Sequence, residues 1–376
     1  MVMSPYWQAG VLSAALFTAL NRAARAHYAD NSQLFYQDGD QPSRIADLLA
    51  IKAQPEIDLA ALTPVQEQAI AAQVAHKALL FSLLADEDSR ALLTALAAFS
   101  VLGHQRVRLP YYGPDNIARR KALHRASQRD QEADPGLVAA IQAKWRTDLF
   151  SLFDLRAVGR NLRLYTIGEE VYRCCEKPSY HCPTPGGVIK PRPGDVVLDC
   201  GAAFGDVSLQ FAEAVGEDGH FVCFEPYPLF LRVFQENMAM NPHLTSRIRL
   251  IERGVWDVDE ATLSFIEGGG GSRIDTSNNA TTKIRTTTLD QAVGALGLAK
   301  VDFIKMDIEG AELRALKGAE ATLRRFRPTL AICLYHNPQD FHEIPAYLDG
   351  LGLGYRFHLN HHYVNEWETV LYARVA

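Results

Sequence analysis

Five polar residues follow short apolar runs in the C-terminal half of the sequence: Asp199 after VVL, Glu225 after FVCF, Asp257 after GVW, Asp307 after FIKM and His336 after LAICLY. Apolar runs of this length, separated by helical segments, read as buried parallel strands, and ligands of such sheets bind beyond the strands' carboxyl ends. Four carboxylates and an imidazole gathered on that edge would make a site. The first run also breaks into a glycine turn, VVLDCGAAFGD at 196–206, with the strand, turn and helix order of a nucleotide site.

Two cofactors compete for that turn. A dinucleotide calls for GxGxxG, whose amides and helix N-terminus face a pyrophosphate. Here Gly201 and Gly205 are spaced GxxxG, with Ala203 and Phe204 between them and no third glycine at the expected step. Asp199, just before the turn, would oppose a pyrophosphate and suit an ammonium. A phosphate-free cofactor with an adenosine and an amino acid tail fits better, and S-adenosylmethionine is such a molecule. On that reading Gly201 and Gly205 let backbone approach the tail, Asp199 orients its ammonium, and Glu225 accepts hydrogen bonds from both ribose hydroxyls. Val255, Trp256 and Asp257 would contact adenine by packing and by a hydrogen bond to its amino group. Ala202, Pro226 and Asp307 complete the expected cofactor contacts. Glu225 also stands where a dinucleotide acid would, about 20 residues past its turn. An NAD-dependent oxidoreductase on a similar fold is therefore the competing enzyme, and a non-catalytic cofactor-binding scaffold the competing non-enzyme.

The elements that must position these groups alternate along the chain. VVLD is followed by a helix over FGDVSLQFAEAV, then a strand HFVCFE and a helix PYPLFLRVFQENMAMN with proline in its first turn. SRIRLIERGV reads as a third strand, and the glycine- and threonine-rich stretch from SFIEGGGG to TTLD as a hairpin with a mobile tip. VDFIKMD is the fourth strand, EGAELRALKGAEATLRRF one helix with Leu313, Leu316 and Leu323 on one face, and PTLAICLYH a fifth strand ending on His336. A helix FHEIPAYLDGLG and a pair YRFHL and ETVLYARV close the chain. This pattern predicts an α/β fold: a Rossmann-like sheet with helices on both faces over 156–376, preceded by a mainly helical N-terminal domain over 1–155. In the latter, TPVQEQAIAAQVAHKALLFSLL and DEDSRALLTALAAF read as helices, the second with acids in its first turn.

The length of 376 residues suits roughly two domains. A net charge of -6 gives no general attraction to nucleic acid, which is not expected as a partner. Arg106, Arg108, Arg119, Arg120, Lys121, Arg125 and Arg129 nevertheless cluster, either as a solvated helix face or as a surface for an anionic substrate or glycan. The six cysteines form no paired CxxC spacing, which argues against a zinc ribbon and for a reducing, cytoplasmic location. GVLSAALFTAL at 10–20 carries its arginines after it, the wrong order for a secretory signal, and is far short of the roughly 20 residues of a membrane span. It reads as an amphipathic helix.

KPRPGDVVLDCGAAFGD, FVCFEPYP, TTLD at 287–290, VDFIKMDIEGAELRALKGAE and RPTLAI together resemble the FkbM-type methyltransferase family over residues 190–375. The resemblance implies a class I S-adenosylmethionine-dependent fold, usually associated with O-methylation, and an acceptor hydroxyl on a sugar, glycan or secondary metabolite. The asparagine-proline-proline-aromatic signature of many amino methyltransferases is absent, which favours oxygen over nitrogen. Two departures from the family pattern stand out: Ala203 and Phe204 stand where Asn and Ile are frequent, which bears on how the cofactor tail is held, and Cys333 replaces a frequent Glu.

Methyl transfer is a displacement at a sulfonium carbon, so an enzyme must align the acceptor, exclude water and take up a proton. His336 is the first candidate for that base, because imidazole titrates near neutrality; His361 and Asp307 are the others. Asp307, His336 and Asn337 also offer a rim on which a divalent metal would chelate a diol, although no ligand motif is present. Glu309 and Glu312 would serve the substrate or a helix N-terminus, and Lys305 would pair with an acid. The helical domain would cap the site, recognise the acceptor or join two copies.

Overall fold

The computed structural model describes residues 11–23, 63–110, 114–145, 150–268, 272–275, 280, 282–363 and 365–375. In chain order the elements run α1 (Val11–Ala23), α2 (Pro64–Ala75), α3 (Ala78–Leu83), α4 (Glu87–Leu102), α5 (Pro114–Ser127), α6 (Pro135–Trp145), β1 (Phe150–Asp154), β2 (Arg163–Ile167), α7 (Gly168–Cys175), β3 (Cys182–Thr184) and β4 (Gly187–Ile189). They continue with β5 (Val196–Cys200), α8 (Asp206–Val215), β6 (His220–Phe224), α9 (Pro228–Met240), α10 (Pro242–Thr245), β7 (Ile248–Ile251), β8 (Gly254–Val255), β9 (Thr262–Ile266), β10 (Arg273–Asp275) and β11 (Thr282–Thr287). The last are α11 (Leu289–Ala295), β12 (Phe303–Met306), α12 (Glu312–Lys317), α13 (Glu320–Phe326), β13 (Thr329–Cys333), α14 (Asp340–Gly350), β14 (Tyr355–His361) and β15 (Thr369–Val375). Among the described residues no helix is long and apolar enough to cross a membrane.

The chain forms two compact units, and both are discontinuous in sequence. The first comprises Met1–Ile117, Cys182–Gly187 and Leu334–Leu371; the second comprises Ala118–His181, Val188–Cys333 and Tyr372–Ala376. The boundary expected at 155/156 thus falls inside the second unit, and burial explains why. Leu137 and Ile141 of α6, Phe150 and Leu152 of β1 and Tyr165 of β2 share one apolar cluster with Phe204, Phe230 and Val233. Two asparagines, Asn237 on α9 and Asn241 at its C-cap, reinforce it: Asn237 bonds the amide and carbonyl of Tyr165 and the carbonyl of Phe204, and Asn241 bonds both backbone groups of Arg163. Their side chains satisfy the backbone of β2 where a neighbouring strand otherwise would.

The centre of the second unit is a parallel sheet in the order β13-β12-β5-β6-β7, with Tyr372–Val375 of β15 beyond β13. Sequential strands depart in both directions from β5, the doubly wound arrangement that opens a crevice at the carboxyl ends. β5 and β12 are buried throughout, as the covered middle of a parallel sheet requires, whereas β7 at the edge is partly exposed.

Four local expectations are corrected. The strand expected over 246–255 stops at Ile251, and Gly254–Val255 pairs instead with Thr286–Thr287 of β11. The expected hairpin is a three-stranded antiparallel piece, β10-β9-β11, whose tip residues 269–271 lie outside the described residues. The single helix expected over 309–326 is interrupted at Gly318, where a Cβ would meet the Trp256 carbonyl oxygen at 2.2 Å. β13 ends at Cys333, so His336 lies three residues beyond the strand.

In the first unit the helix expected over 63–84 is two, α2 and α3, separated by His76 and Lys77. Thr63 caps α2 through a reciprocal pair with Gln66. α1 buries Leu16 and Leu20, one helical turn apart, as an amphipathic helix should. Asp86 caps α4 through the Ser89 amide and contacts His358 Nδ1 at 2.6 Å, which ties the start of that helix to β14.

Candidate functional site

The carboxyl ends of β5, β6 and β12 meet at the glycine turn. Gly201 and Ala202 donate their amides to the Phe224 carbonyl, and the Asp307 amide donates to the Cys200 carbonyl. Gly201 has φ 81°, and a Cβ there would lie 1.9 Å from the Asp307 carbonyl oxygen. Gly205, at φ 75°, faces the Phe234 ring with 2.1 Å to a would-be Cβ. Both glycines are therefore required by the protein's own packing as well as by any approach to a cofactor. Phe204 belongs to the core, 5.1 Å from the Phe150 ring and 4.9 Å from the Phe230 ring.

Glu225 is held from two sides: its Oε2 accepts the Ala203 amide at 2.9 Å and its Oε1 the Tyr227 amide at 2.8 Å. Ala203 adopts a left-handed conformation, φ 45°, to present that amide. Burial pushes the Glu225 carboxyl up to about 7, against the opposing pull of the two amides and Lys305. Each oxygen keeps a further lone pair for a hydroxyl donor.

Asp199 is fully buried. Its Oδ2 accepts the Ser208 hydroxyl at 2.6 Å, and its Oδ1 lies 3.1 Å from Lys305 Nζ. Lys305, expected to pair with an acid, also donates to the Gly201 carbonyl at 2.6 Å. Burial draws the Lys305 ammonium down, but Asp199 and then Asp307 outweigh it and hold it above its ordinary value. Asp199 is thus paired with an internal cation. Asp307 is only half-buried, and its Oδ2 accepts the Tyr180 hydroxyl at 2.7 Å.

Val255 is buried in β8, and the Trp256 amide donates to the Thr287 carbonyl. Asp257 Oδ2 accepts from Arg314 at 2.8 Å, with the same guanidinium 5.2 Å from the Trp256 ring, while Asp257 Oδ1 is buried with no hydrogen-bond partner. Such an orphaned acceptor suits an amino donor like that of adenine. Pro226 lies beside Gly254, close enough for van der Waals contact with a Cβ there. Glu312, fully buried, accepts the Ile308 amide at 2.8 Å and so shapes the loop after Asp307, in which Glu309 has φ 56°.

The remaining candidates belong to the first unit. His336 is half-buried with its ring 4.1 Å from that of Tyr335, Asn337 is exposed and bonds Asp340, and His361 is buried with Nδ1 3.0 Å from the Thr369 hydroxyl. Sequence reasoning missed Tyr180, Ser208, Arg314 and Gly318. Only Gly318 carried a signal, as a glycine inside an otherwise helical pattern.

The basic cluster is largely paired or folded back. Arg119 contacts Glu176 at 3.4 Å, Arg120 forms a mostly buried ion pair with Glu169, and Arg129 bonds the carbonyls of Ala126 and Gln128.

Residues 199–357 match the methyltransferase FkbM domain, and the parallel sheet in that stretch has a Rossmann-like, doubly wound order. Among solved structures, the chain is similar to a methyltransferase FkbM from Methylobacillus flagellatus KT, at 20% identity and a TM-score of 0.48, over 81% of this chain and 60% of that one. It therefore spans less than two thirds of that relative's length. It is also similar to fibrillarin from Aeropyrum pernix with natively bound S-adenosyl-L-methionine, at 14% identity and a TM-score of 0.33 over 48% and 67% of the two chains. An O-methyltransferase from Bacillus cereus in complex with SAH shows 13% identity and a TM-score of 0.32 over 48% and 74%. No curated protein sequence matches the chain.

Proposed function

We propose that this protein transfers a methyl group from S-adenosylmethionine to an oxygen, on a hydroxyl of a sugar, glycan or secondary metabolite. The observation that carries the cofactor is a pair of acids: Glu225 with an acceptor site left on each oxygen, and Asp257 with one buried oxygen unpaired. The two match a ribose diol and an adenine amino group. The glycine turn between Asp199 and Asp206 leaves no side chain beyond Cβ at four of its positions, Gly201, Ala202, Ala203 and Gly205, which suits an extended amino acid tail.

The cofactor, when bound, supplies an electrophilic methyl on a sulfonium. This chain's residues then bind and orient: Glu225 the ribose, Asp257 and Trp256 the adenine, and the half-buried Asp307 the ammonium or the acceptor proton. Of the three proton acceptors read from the sequence, Asp307 shares a unit with the cofactor residues; His336 and His361 are retained as candidates for test by His336→Ala and His361→Ala. None of the six cysteines forms a disulfide, which supports a cytoplasmic location.

The test is transfer of labelled methyl from S-adenosylmethionine into fractionated extract, with Glu225→Ala as the blank. Label in a saccharide or small-molecule fraction supports the reading. Label in protein or nucleic acid would refute the acceptor class, and uptake of NAD in place of S-adenosylmethionine would favour the oxidoreductase.

A further inference from the structure

Tyr180 closes the segment Ala118–His181 of the second unit, and it is held in a way that packing alone does not call for. Its φ is 58°, an outlier for a bulky side chain, and such backbone persists only where the surroundings over-determine it, most often at functional sites. Its ring is buried edge-on against Phe211, at 6.4 Å and 79°, with Lys305 Nζ 5.3 Å from the ring centroid. A phenylalanine would meet those contacts equally well. The hydroxyl adds one strong bond, 2.7 Å to Asp307 Oδ2, with Cys333 Sγ at 3.9 Å.

The charges around the turn say what that bond is for. A cofactor ammonium needs a carboxylate, yet Asp199 is fully buried and neutralised by Lys305, and the Gly201 carbonyl is taken by the same lysine. Asp307 abuts the turn, its carbonyl oxygen filling the space that a Gly201 Cβ would need, and the residue is half-buried where Asp199 is fully buried. We infer that Tyr180 is a positioning residue that aims the Asp307 carboxylate at the ammonium of the cofactor's amino acid tail. The inference rests on the proposed S-adenosylmethionine reading and goes beyond it by dividing the two aspartates into an internal one and a ligand-facing one.

The test compares two nucleosides by calorimetric titration: S-adenosylhomocysteine, which carries the amino acid tail, and methylthioadenosine, which lacks it. Tyr180→Phe should weaken S-adenosylhomocysteine by roughly 10- to 100-fold, the worth of one charge-assisted hydrogen bond, and leave methylthioadenosine within about twofold. In an Asp307→Asn background the same substitution should add little, because the two act as one unit. Equal weakening of both nucleosides would mean a structural role and overturn the inference, as would undiminished S-adenosylhomocysteine affinity or additive losses in the double variant. A wild-type protein that binds neither nucleoside would refute the functional reading itself, and this inference with it.

Discussion

If Glu225 holds the cofactor ribose as proposed, cofactor affinity should depend on pH in a way that can be worked out in advance. Its carboxyl is buried and pushed up to about 7, while two ribose hydroxyls donating to it require the ionised form. With that value, about one molecule in eleven carries the carboxylate at about pH 6 and about ten in eleven at about pH 8. Because apparent affinity scales with the competent fraction, S-adenosylhomocysteine should bind about tenfold more tightly at the higher pH. Near pH 7, binding should release roughly half a proton, measurable by titration calorimetry in buffers of different ionisation enthalpy. Glu225→Gln cannot ionise, so its affinity should be lower and flat across the same range, which separates this group from the histidines. The empty protein shows the reverse trend. An acid whose value is raised from 4.5 to about 7 holds its proton longer folded than unfolded, so stability falls as pH rises through that window, by about 3 kcal/mol in all. A wild-type affinity as flat as that of Glu225→Gln, with no proton release, would refute the assignment of Glu225 to the ribose.

Three further outcomes follow from packing around the turn. Gly201→Ala and Gly216→Ala both place a side chain at positive φ, but Gly216 has open space around it, so it should cost only about 1–2 kcal/mol of left-handed strain. Gly201→Ala must also displace the Asp307 carbonyl; equal urea midpoints for the two variants would contradict the geometry. Lys305→Met strands the Asp199 carboxylate in a fully buried place and should destabilise by about 3–5 kcal/mol in chemical denaturation, so a near-neutral result would remove the ion pair from the account. Asn237→Leu leaves three buried backbone groups of Tyr165 and Phe204 without partners, at about 1–3 kcal/mol each, and should loosen the β1–β2 hairpin first in hydrogen exchange; unchanged protection there would contradict it.

What the sequence made legible was local. β5, α8, β6 and α9 lie within about two residues of their expected places, because β-branched runs, the glycine turn and Pro228 at a first helical turn are short-range signals. At Gly318 the glycine itself was a legible signal, but its close approach to the Trp256 carbonyl, sixty-odd residues away in sequence, was not. The same holds for Asp199, whose role turned on Lys305 across a strand pair, and for Tyr180, whose meaning appears only when Asp307 is beside it. The compact units divide elsewhere than at 155/156, because α6 and β1, expected in the helical domain, turn apolar faces to the cluster around Phe204.

The central claim is that the crevice between β5, β6 and β12 holds S-adenosylmethionine, and direct titration of purified protein with S-adenosylmethionine and, separately, with NAD tests it most simply. The account predicts saturable binding of one S-adenosylmethionine per chain, lost or greatly weakened in Glu225→Ala, and no comparable uptake of NAD. Binding of NAD with none of S-adenosylmethionine, or S-adenosylmethionine binding that Glu225→Ala leaves unchanged, would contradict it.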